Sequence, residues 1–458
     1  MNASTTNTRR NKAADKYVSD ARYAALKVLQ SVLVKRRSLA TARLLLDDMS
    51  LQPRQRSLAM ELANGVLRWR FRFEAMLEKL MSKPLRKKDQ DLQLILLIAL
   101  HELNELSTPD YAVVNEAVSQ ARRIGKKWAS GLINGVLRSF LREHERLVAA
   151  IEDIPAARLS HPQWLIDLLQ QDWPEQVEQI LTASNRRPPM WLRVNLSKVS
   201  VEDYLKRLAM QQITAVRHSN ARAALKLDNP MDISQIPGFD QGLASVQDAS
   251  AQLAAQLLAA EGDERVLDLC AAPGGKTCHI LETAGNIQMT AVELDPVRMH
   301  KVQQNIDRIG VQARLIVADA TDVERWWDGR QFDRILVDAP CSASGVIRRH
   351  PDIKSLRQVH DLVTLTENQQ QILQQAWYML RPGGTLLYVT CSVFKQENEQ
   401  QVEHLMRHAA DAEEAMIDQS WGIACRYGRQ ILPGTEDSDG FYYARLKKLQ
   451  NTSDTPVG

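Results

Sequence analysis

From Gly242 to near the end of the chain, β-rich runs alternate with helix-length segments, and the runs lead to residues with chemistry to offer. Arg265-Val266-Leu267-Asp268-Leu269 leads straight into Cys270-Ala271-Ala272-Pro273-Gly274-Gly275-Lys276-Thr277. Ala291-Val292 ends on Glu293, and Val317-Ala318 ends on Asp319. Residues 334–337 end on Asp338, three positions before Cys341, and residues 385–389 lead through Thr390 to Cys391. Short, almost wholly apolar runs of this kind suit strands buried on both faces. Regular alternation with helices specifies a doubly wound parallel sheet, and such sheets gather ligands outside the carboxyl ends of their strands. The expected fold class is therefore α/β, with a Rossmann-like domain over residues 241–448.

The loop after the first of these strands fixes the class of cofactor. Glycines at a strand-to-helix turn let the backbone approach a ligand closely. A phosphate-binding loop would place glycine five positions before Gly275-Lys276-Thr277, where Cys270 stands. The dinucleotide fingerprint also fails, because residues 270–273 contain no glycine. S-adenosyl-L-methionine, an adenosine without phosphate, remains. Cys270, Ala271, Ala272, Pro273, Gly274 and Gly275 would cradle it, and Lys276 would meet its carboxylate or order the loop. Glu293 is placed for both ribose hydroxyls and Asp319 for the adenine amino group.

The rest of the chain must be explained by other domains, since 458 residues exceed one such unit. Residues 1–160 hold about 28 Lys and Arg against about 17 Asp and Glu; with +3 overall, the remainder is net acidic by about 8. Basic clusters at Lys35-Arg36-Arg37, at Arg68, Arg70 and Arg72, at Arg86-Lys87-Lys88 and from Arg122 to Lys127 suit a nucleic-acid partner. Helical periodicity over residues 17–147, as in Leu132, Ile133, Val136, Leu137, Phe140 and Leu141, predicts an all-helical domain. Residues 148–240 read as a small α+β connecting domain in which Arg187-Pro188-Pro189 must stop a helix. Residues 1–16 and 449–458 read as flexible tails. Residues 92–100, the longest apolar stretch, fall well short of the roughly 20 a membrane span requires, so a cytoplasmic protein is expected. Five cysteines without a C-x-x-C pair argue against disulfides and structural metal.

Two of those cysteines, Cys341 and Cys391, would face one pocket from adjacent strand ends, which points to nucleophilic chemistry. The residues themselves leave open which of the two attacks. In order and spacing, "DLCAAPGGKT", "FDRILVDAPCSASG", "RRHPDIK", "LRPGG" and "TCS" resemble the NOL1/NOP2/Sun family of RNA cytosine-5 methyltransferases. "NGVLRSFLR", from Asn134, resembles the NusB domain, and this fusion is typical of the bacterial enzymes that modify 16S ribosomal RNA.

The resemblance implies a NusB-like domain, a connecting domain and a class I S-adenosylmethionine methyltransferase domain. It implies 16S rRNA as partner, and a monomer is expected. It also implies Cys391 as the nucleophile on C6, with Cys341 serving product release. Asp338 is the candidate to assist at N3, where addition at C6 collects charge, and it also borders the cofactor. Glu293 departs from the family's usual aspartate but keeps the carboxylate. Arg348, Arg349 and His350 would either approach the substrate strand or serve local structure, and Trp69, Phe71, Phe73 and Trp128 would either stack on bases or pack in the core. The competing readings are a non-catalytic RNA-binding protein of ribosome assembly or antitermination, and a nucleotide-dependent enzyme.

Overall fold

A computed structural model describes residues 20–450; the tail expected over 1–16, and all but two residues of that over 449–458, lie outside the described residues. Packing divides the chain at Arg186: one unit runs to Arg186 and takes in Ile347–Gln358, and the other holds Arg187–Val346 and the chain from Val359 onward. Helices between 148 and 186, read above as the front of a connecting domain, thus count with the helical unit. No helix among the described residues is long and apolar enough to cross a membrane.

The helical unit is built from Ala21–Leu29, Pro53–Leu80, Gln90–Glu105, Asp110–Arg123 and Ser130–Ile151, with shorter helices after them. Asp20 caps the first helix by accepting from the Arg22 N–H, and Pro53 starts the second, where its missing N–H has no partner to lose. The helix Val177–Asn185 stops just before Arg187-Pro188-Pro189, as the prolines require. Ile133, Val136, Leu137 and Phe140 enter the core at helical spacing, whereas Leu132 and Leu141 are exposed, so the buried stripe is narrower than the apolar run. Phe73 is core, Trp69 packs against it half-buried and Trp128 is exposed.

The basic surface is also narrower than composition suggests. Lys126 is held by Asp89 and Asp91 at 2.7 and 2.5 Å, Arg123 lies 3.4 Å from Asp20, and Arg68 is buried. Lys35, Arg37 and Arg86-Lys87-Lys88 stay exposed.

The "RRHPDIK" segment belongs to this helical unit. The Lys354 ammonium donates to the carbonyls of Arg68 at 2.8 Å and Ser160 at 2.9 Å and to the Asn185 amide oxygen, satisfying its three donors. Asp352 accepts from the Leu39 N–H at 2.8 Å, and Arg36 donates to the carbonyls of Ser355 and Leu356 at 2.7 Å each. Arg348 is 1 % exposed, which favours local structure over contact with substrate: its guanidinium is packed inside, while His350 stays exposed.

The second unit holds two sheets. Strands β1 Met190–Val194, β2 Ala215–Arg217, β3 Ala224–Leu227 and β4 Ala244–Val246 form an antiparallel sheet in the order β2-β3-β1-β4. The larger sheet contains β5 Arg265–Leu269, β6 Gln288–Glu293, β7 Arg314–Val317, β8 Phe332–Asp338, β9 Leu380–Thr390, β10 Ala412–Glu414, β11 Ile423–Ala424, β12 Arg429–Ile431 and β13 Phe441–Lys448. Its order is β11-β12-β13-β9-β8-β5-β6-β7, with β10 on β13. The pairs β5–β6, β6–β7, β5–β8 and β8–β9 are parallel, and β13 closes on β9 antiparallel. Chain order reverses between β5 and β8, the switch point where such sheets open a crevice. Leu267, Leu269, Ile335, Val337, Leu386 and Tyr388 are fully buried, which explains the unbroken apolar runs.

A buried ion pair ties the small sheet to the helix Gly275–Ala284. Arg193 on β1 donates to both Glu282 oxygens at 2.9 and 2.7 Å, and its Nη1 reaches Gln247 Oε1 and the Gly275 carbonyl at 2.6 Å each. Arg193 and Glu282 side chains are 1 % and 2 % exposed.

Candidate active site

The glycine loop leaves β5 with Cys270 at φ +64° and reaches Gly274 at φ +93°, the N-cap of Gly275–Ala284. A Cβ on Gly274 would sit 3.1 Å from the Val302 Cα, so the position requires glycine for both conformation and space. Ala271, Ala272 and Gly274 are buried, and Pro273 is exposed. Glu293, at the end of β6, is 3 % exposed and braces the loop: it accepts from the Ala272 and Asp295 N–H groups and from Arg298, each at 3.2 Å. A carboxylate offers about four lone-pair sites, so three acceptances leave room for a ligand hydroxyl. Asp319 is exposed beyond β7 and folds over the N–H and hydroxyl of Thr321 at 2.8 and 2.7 Å.

Lys276 pairs with Asp338 at 2.7 Å, with its ammonium 5.1 Å from the Phe441 ring centre. The contact joins the glycine loop to the end of β8, a partner that neither segment reveals alone. Asp268, missed in the sequence reading, is fully buried on β5; its Oδ2 accepts from the Thr277 hydroxyl, and its Oδ1 has no hydrogen-bond partner. Burial pushes its carboxyl up to about 7 against the Thr277 hydrogen bond, with the Asp338 charge adding to the rise.

That shift carries a sign. A folded value above the ordinary 3.8 means the folded state keeps a proton the unfolded chain has lost, so stability from this group falls as pH rises from 3.8 to about 7. Asp268→Asn, neutral and of the same shape, is expected to remove that dependence and to exceed the native protein by on the order of a few kcal/mol at about pH 8. Urea midpoints of both proteins at about pH 5 and about pH 8 check it, and parallel pH dependences would count against it.

Cys341 and Cys391 lie past the ends of the adjacent parallel strands β8 and β9, with their sulfurs 3.5 Å apart. The hydrogen bond to Cys391, burial and the Glu397 charge push the Cys341 thiol well above its ordinary value. The two sulfurs lie within hydrogen-bonding distance, and either can be the donor. Gly345 sets its N–H on the Cys391 carbonyl at 2.8 Å, and a Cβ there would fall 2.8 Å from that carbonyl oxygen. Burial pushes the other three thiols up as well, Cys278 and Cys425 to about 12.

Beneath the two cysteines lies a polar cluster that the sequence reading also missed. Glu397 is fully buried; its Oε1 accepts from the Ser342 N–H at 2.7 Å and the Gln369 amide at 3.2 Å. Its Oε2 accepts from the Ser342 and Ser392 hydroxyls, at 2.5 Å each. Lys395-Gln396-Glu397-Asn398 looks like a solvated turn in sequence. The available signal was the repeated Cys-Ser dipeptide, Cys341-Ser342 and Cys391-Ser392.

Comparison with known proteins fits this geometry. The sequence profile described as 16S rRNA methyltransferase RsmB/F matches residues 255–447, an RsmF/B-like ferredoxin-like domain matches 161–234 and the NusB family matches 19–142. The ribosomal RNA small subunit methyltransferase B of Vibrio cholerae is 43 % identical over 432 residues, 94 % of this chain and 98 % of that one. Its namesake in Pseudomonas putida is 42 % identical over 93 % of this chain and 98 % of that one. A solved methyltransferase homologue from Pyrococcus horikoshii, 28 % identical, superposes with a TM-score of 0.58 over 64 % of this chain and 97 % of its own. With likeness running through nearly the whole length and a thiol pair at the strand ends, the chain belongs to the RsmB/F methyltransferase family and carries a NusB-family region at its front.

Proposed function

We propose that this protein transfers a methyl group from S-adenosyl-L-methionine to C5 of a cytosine in small-subunit 16S ribosomal RNA. The observation that carries the proposal is the pair of sulfurs 3.5 Å apart at neighbouring strand ends, because methylation of an amino group or a ribose has no use for two thiols. The relatives' names supply the ribosomal RNA.

The loop fits the cofactor on its own evidence: a glycine turn with no room for a side chain, an acceptor carboxylate in Glu293 and the orphaned Asp268 Oδ1. Cys270 to Gly275 and Glu293 would hold it, with Asp319 at the adenine edge and Lys276 and Asp338 flanking. When bound, it supplies the methyl group as an electrophilic carbon on a sulfonium.

The chain's own residues activate the base. The C5 carbon of cytosine is a weak nucleophile, so the Cys391 thiolate first adds to C6, and C5 gains enamine character. Charge from that addition collects at N3, to which Asp338 passes on the proton that Cys391 gives up. Lys276 keeps the Asp338 carboxylate oriented. Once Cys391 is bonded to carbon, the neighbouring sulfur charge that holds Cys341 up is gone, and Cys341 loses its proton more readily. As a thiolate it takes the C5 proton; the freed pair re-forms the C5–C6 double bond as the Cys391–C6 bond breaks. A base stacked in a duplex cannot reach these sulfurs, so the target is looped or flipped out, and exposed cations of the helical unit would help offset the cost.

Bisulfite mapping of 16S rRNA incubated with the protein and S-adenosylmethionine tests the reading. One newly protected cytosine is expected; full conversion of every cytosine, with methyl groups found elsewhere, refutes it.

A further inference from the structure

We propose that Glu397 is the positioning residue that fixes the spacing of the two reactive sulfurs, by holding each cysteine loop through the serine that follows the cysteine. The inference rests on the two-thiol reading above and adds to it a group that touches neither base nor cofactor.

The argument begins with the cost of the group. Glu397 is fully buried and no cation pairs with it among the described residues, so hydrogen bonds alone compensate its desolvation. Four donors converge on it, two of them serine hydroxyls on a single oxygen. A glutamine could not replace this arrangement, because its amide offers one acceptor atom and turns two N–H donors towards other donors. A carboxylate is required if one group must accept from both loops.

The serines make the grip reciprocal. Ser342 Oγ stands 3.3 Å from Ser392 Oγ, and Ser344 Oγ lies 3.1 Å from each of them. The Phe394 N–H donates to Ser392 Oγ at 3.0 Å, and the Val393 N–H to Ser344 Oγ at 3.0 Å. The Tyr388 hydroxyl, from β9, donates to the Glu397 carbonyl at 2.7 Å and anchors the backbone that carries the carboxylate. Each cysteine is thus one residue from a hydroxyl that is fixed to the same oxygen.

Spacing matters because C5 and C6 are neighbours in one ring. Cys391 must reach C6, and Cys341 must then reach the proton on C5. A misplacement of about 1 Å at a reacting group can cost on the order of 10²-fold in rate. The charge of Glu397 also contributes to holding Cys341 protonated, so the same carboxylate separates the two thiols electrostatically.

The test uses the full chain, a 16S rRNA substrate and S-adenosylmethionine, and follows adduct formation and release separately. Ser392→Ala is expected to slow adduct formation by about 10- to 100-fold with release unchanged. Ser342→Ala is expected to leave formation intact and to accumulate adduct. Glu397→Gln slows both steps, with KM for RNA and S-adenosylmethionine affinity within about threefold of native, and Glu397→Asp recovers part of the loss.

A second measurement needs no RNA: the rate of Cys341 alkylation against pH, read by peptide mapping. Removing the carboxylate charge in Glu397→Gln should move the Cys341 titration to lower pH, which loosening alone would not do. Equal slowing of both steps by each serine variant, or native kcat in Glu397→Gln, overturns the proposal. If Glu397→Gln does not fold, the serine pair still decides. If the native protein forms no adduct with RNA, the methyltransferase reading fails while the alkylation profile still judges Glu397.

Discussion

Cys391→Ala is expected to abolish methyl transfer and every covalent protein–RNA adduct together, whereas Cys341→Ala is expected to methylate once and stay attached. The difference follows from where each sulfur acts. Without Cys391 nothing adds to C6, and C5 never becomes nucleophilic; losing a covalent nucleophile costs on the order of 10⁴-fold or more. Without Cys341 the early steps proceed, but the C5 proton has no acceptor at the required place and the Cys391–C6 bond persists. The hydrogen bond to Cys391, burial and the nearby Cys391 and Glu397 charges push the Cys341 thiol up. The measurement is a denaturing gel of protein incubated with RNA and S-adenosylmethionine, in which the adduct migrates as a slower band. A stalled band in Cys391→Ala and none in Cys341→Ala would reverse the two roles.

The second large effect is on stability. Arg193→Ala leaves the Glu282 carboxylate buried without its guanidinium and frees the Gly275 carbonyl at the start of the helix Gly275–Ala284. Breaking a buried ion pair from one side costs about 3–5 kcal/mol, because the remaining charge is desolvated and uncompensated. Replacing both partners by apolar residues of similar volume, as in Arg193→Met with Glu282→Leu, should recover most of that loss. Urea unfolding followed by tryptophan fluorescence gives both numbers. A single variant within about 1 kcal/mol of native would show that the pair contributes little. S-adenosylmethionine affinity should fall in the single variant, since the Gly275 carbonyl that Arg193 holds is part of the loop.

Legibility in the sequence followed the range of the interaction. The strand at 265–269 and the runs 291–293 and 334–337 that end the strands Gln288–Glu293 and Phe332–Asp338 were readable because mostly apolar runs are a local record of burial on both faces. The glycine turn was readable for the same reason, since positive φ at Gly274 is a local demand. The meeting of Cys341 and Cys391 followed from adjacent parallel strands, whose spacing is fixed by backbone pairing whatever the side chains. Less visible was which lysines and arginines stay on the surface: Arg68, Arg348 and Lys354 look like solvent-facing cations and are buried, because carbonyls distant in sequence reach groups such as Arg68 and Lys354 only in the folded chain.

The sequence by itself determined the α/β class, the loop that excludes phosphate ligands, and the placement of two thiols and a row of carboxylates at the carboxyl ends of strands. All of these rest on periodicity and turn chemistry within some ten residues. Only the tertiary structure decided that Lys276 meets Asp338, that Arg193 closes on Glu282, that "RRHPDIK" packs with the helical unit, and that one oxygen of Glu397 binds the serines beside both cysteines. Hydrogen bonds and ion pairs act over about 3 Å between residues of any separation, so their partners are chosen by how the chain folds back and leave no local pattern to read.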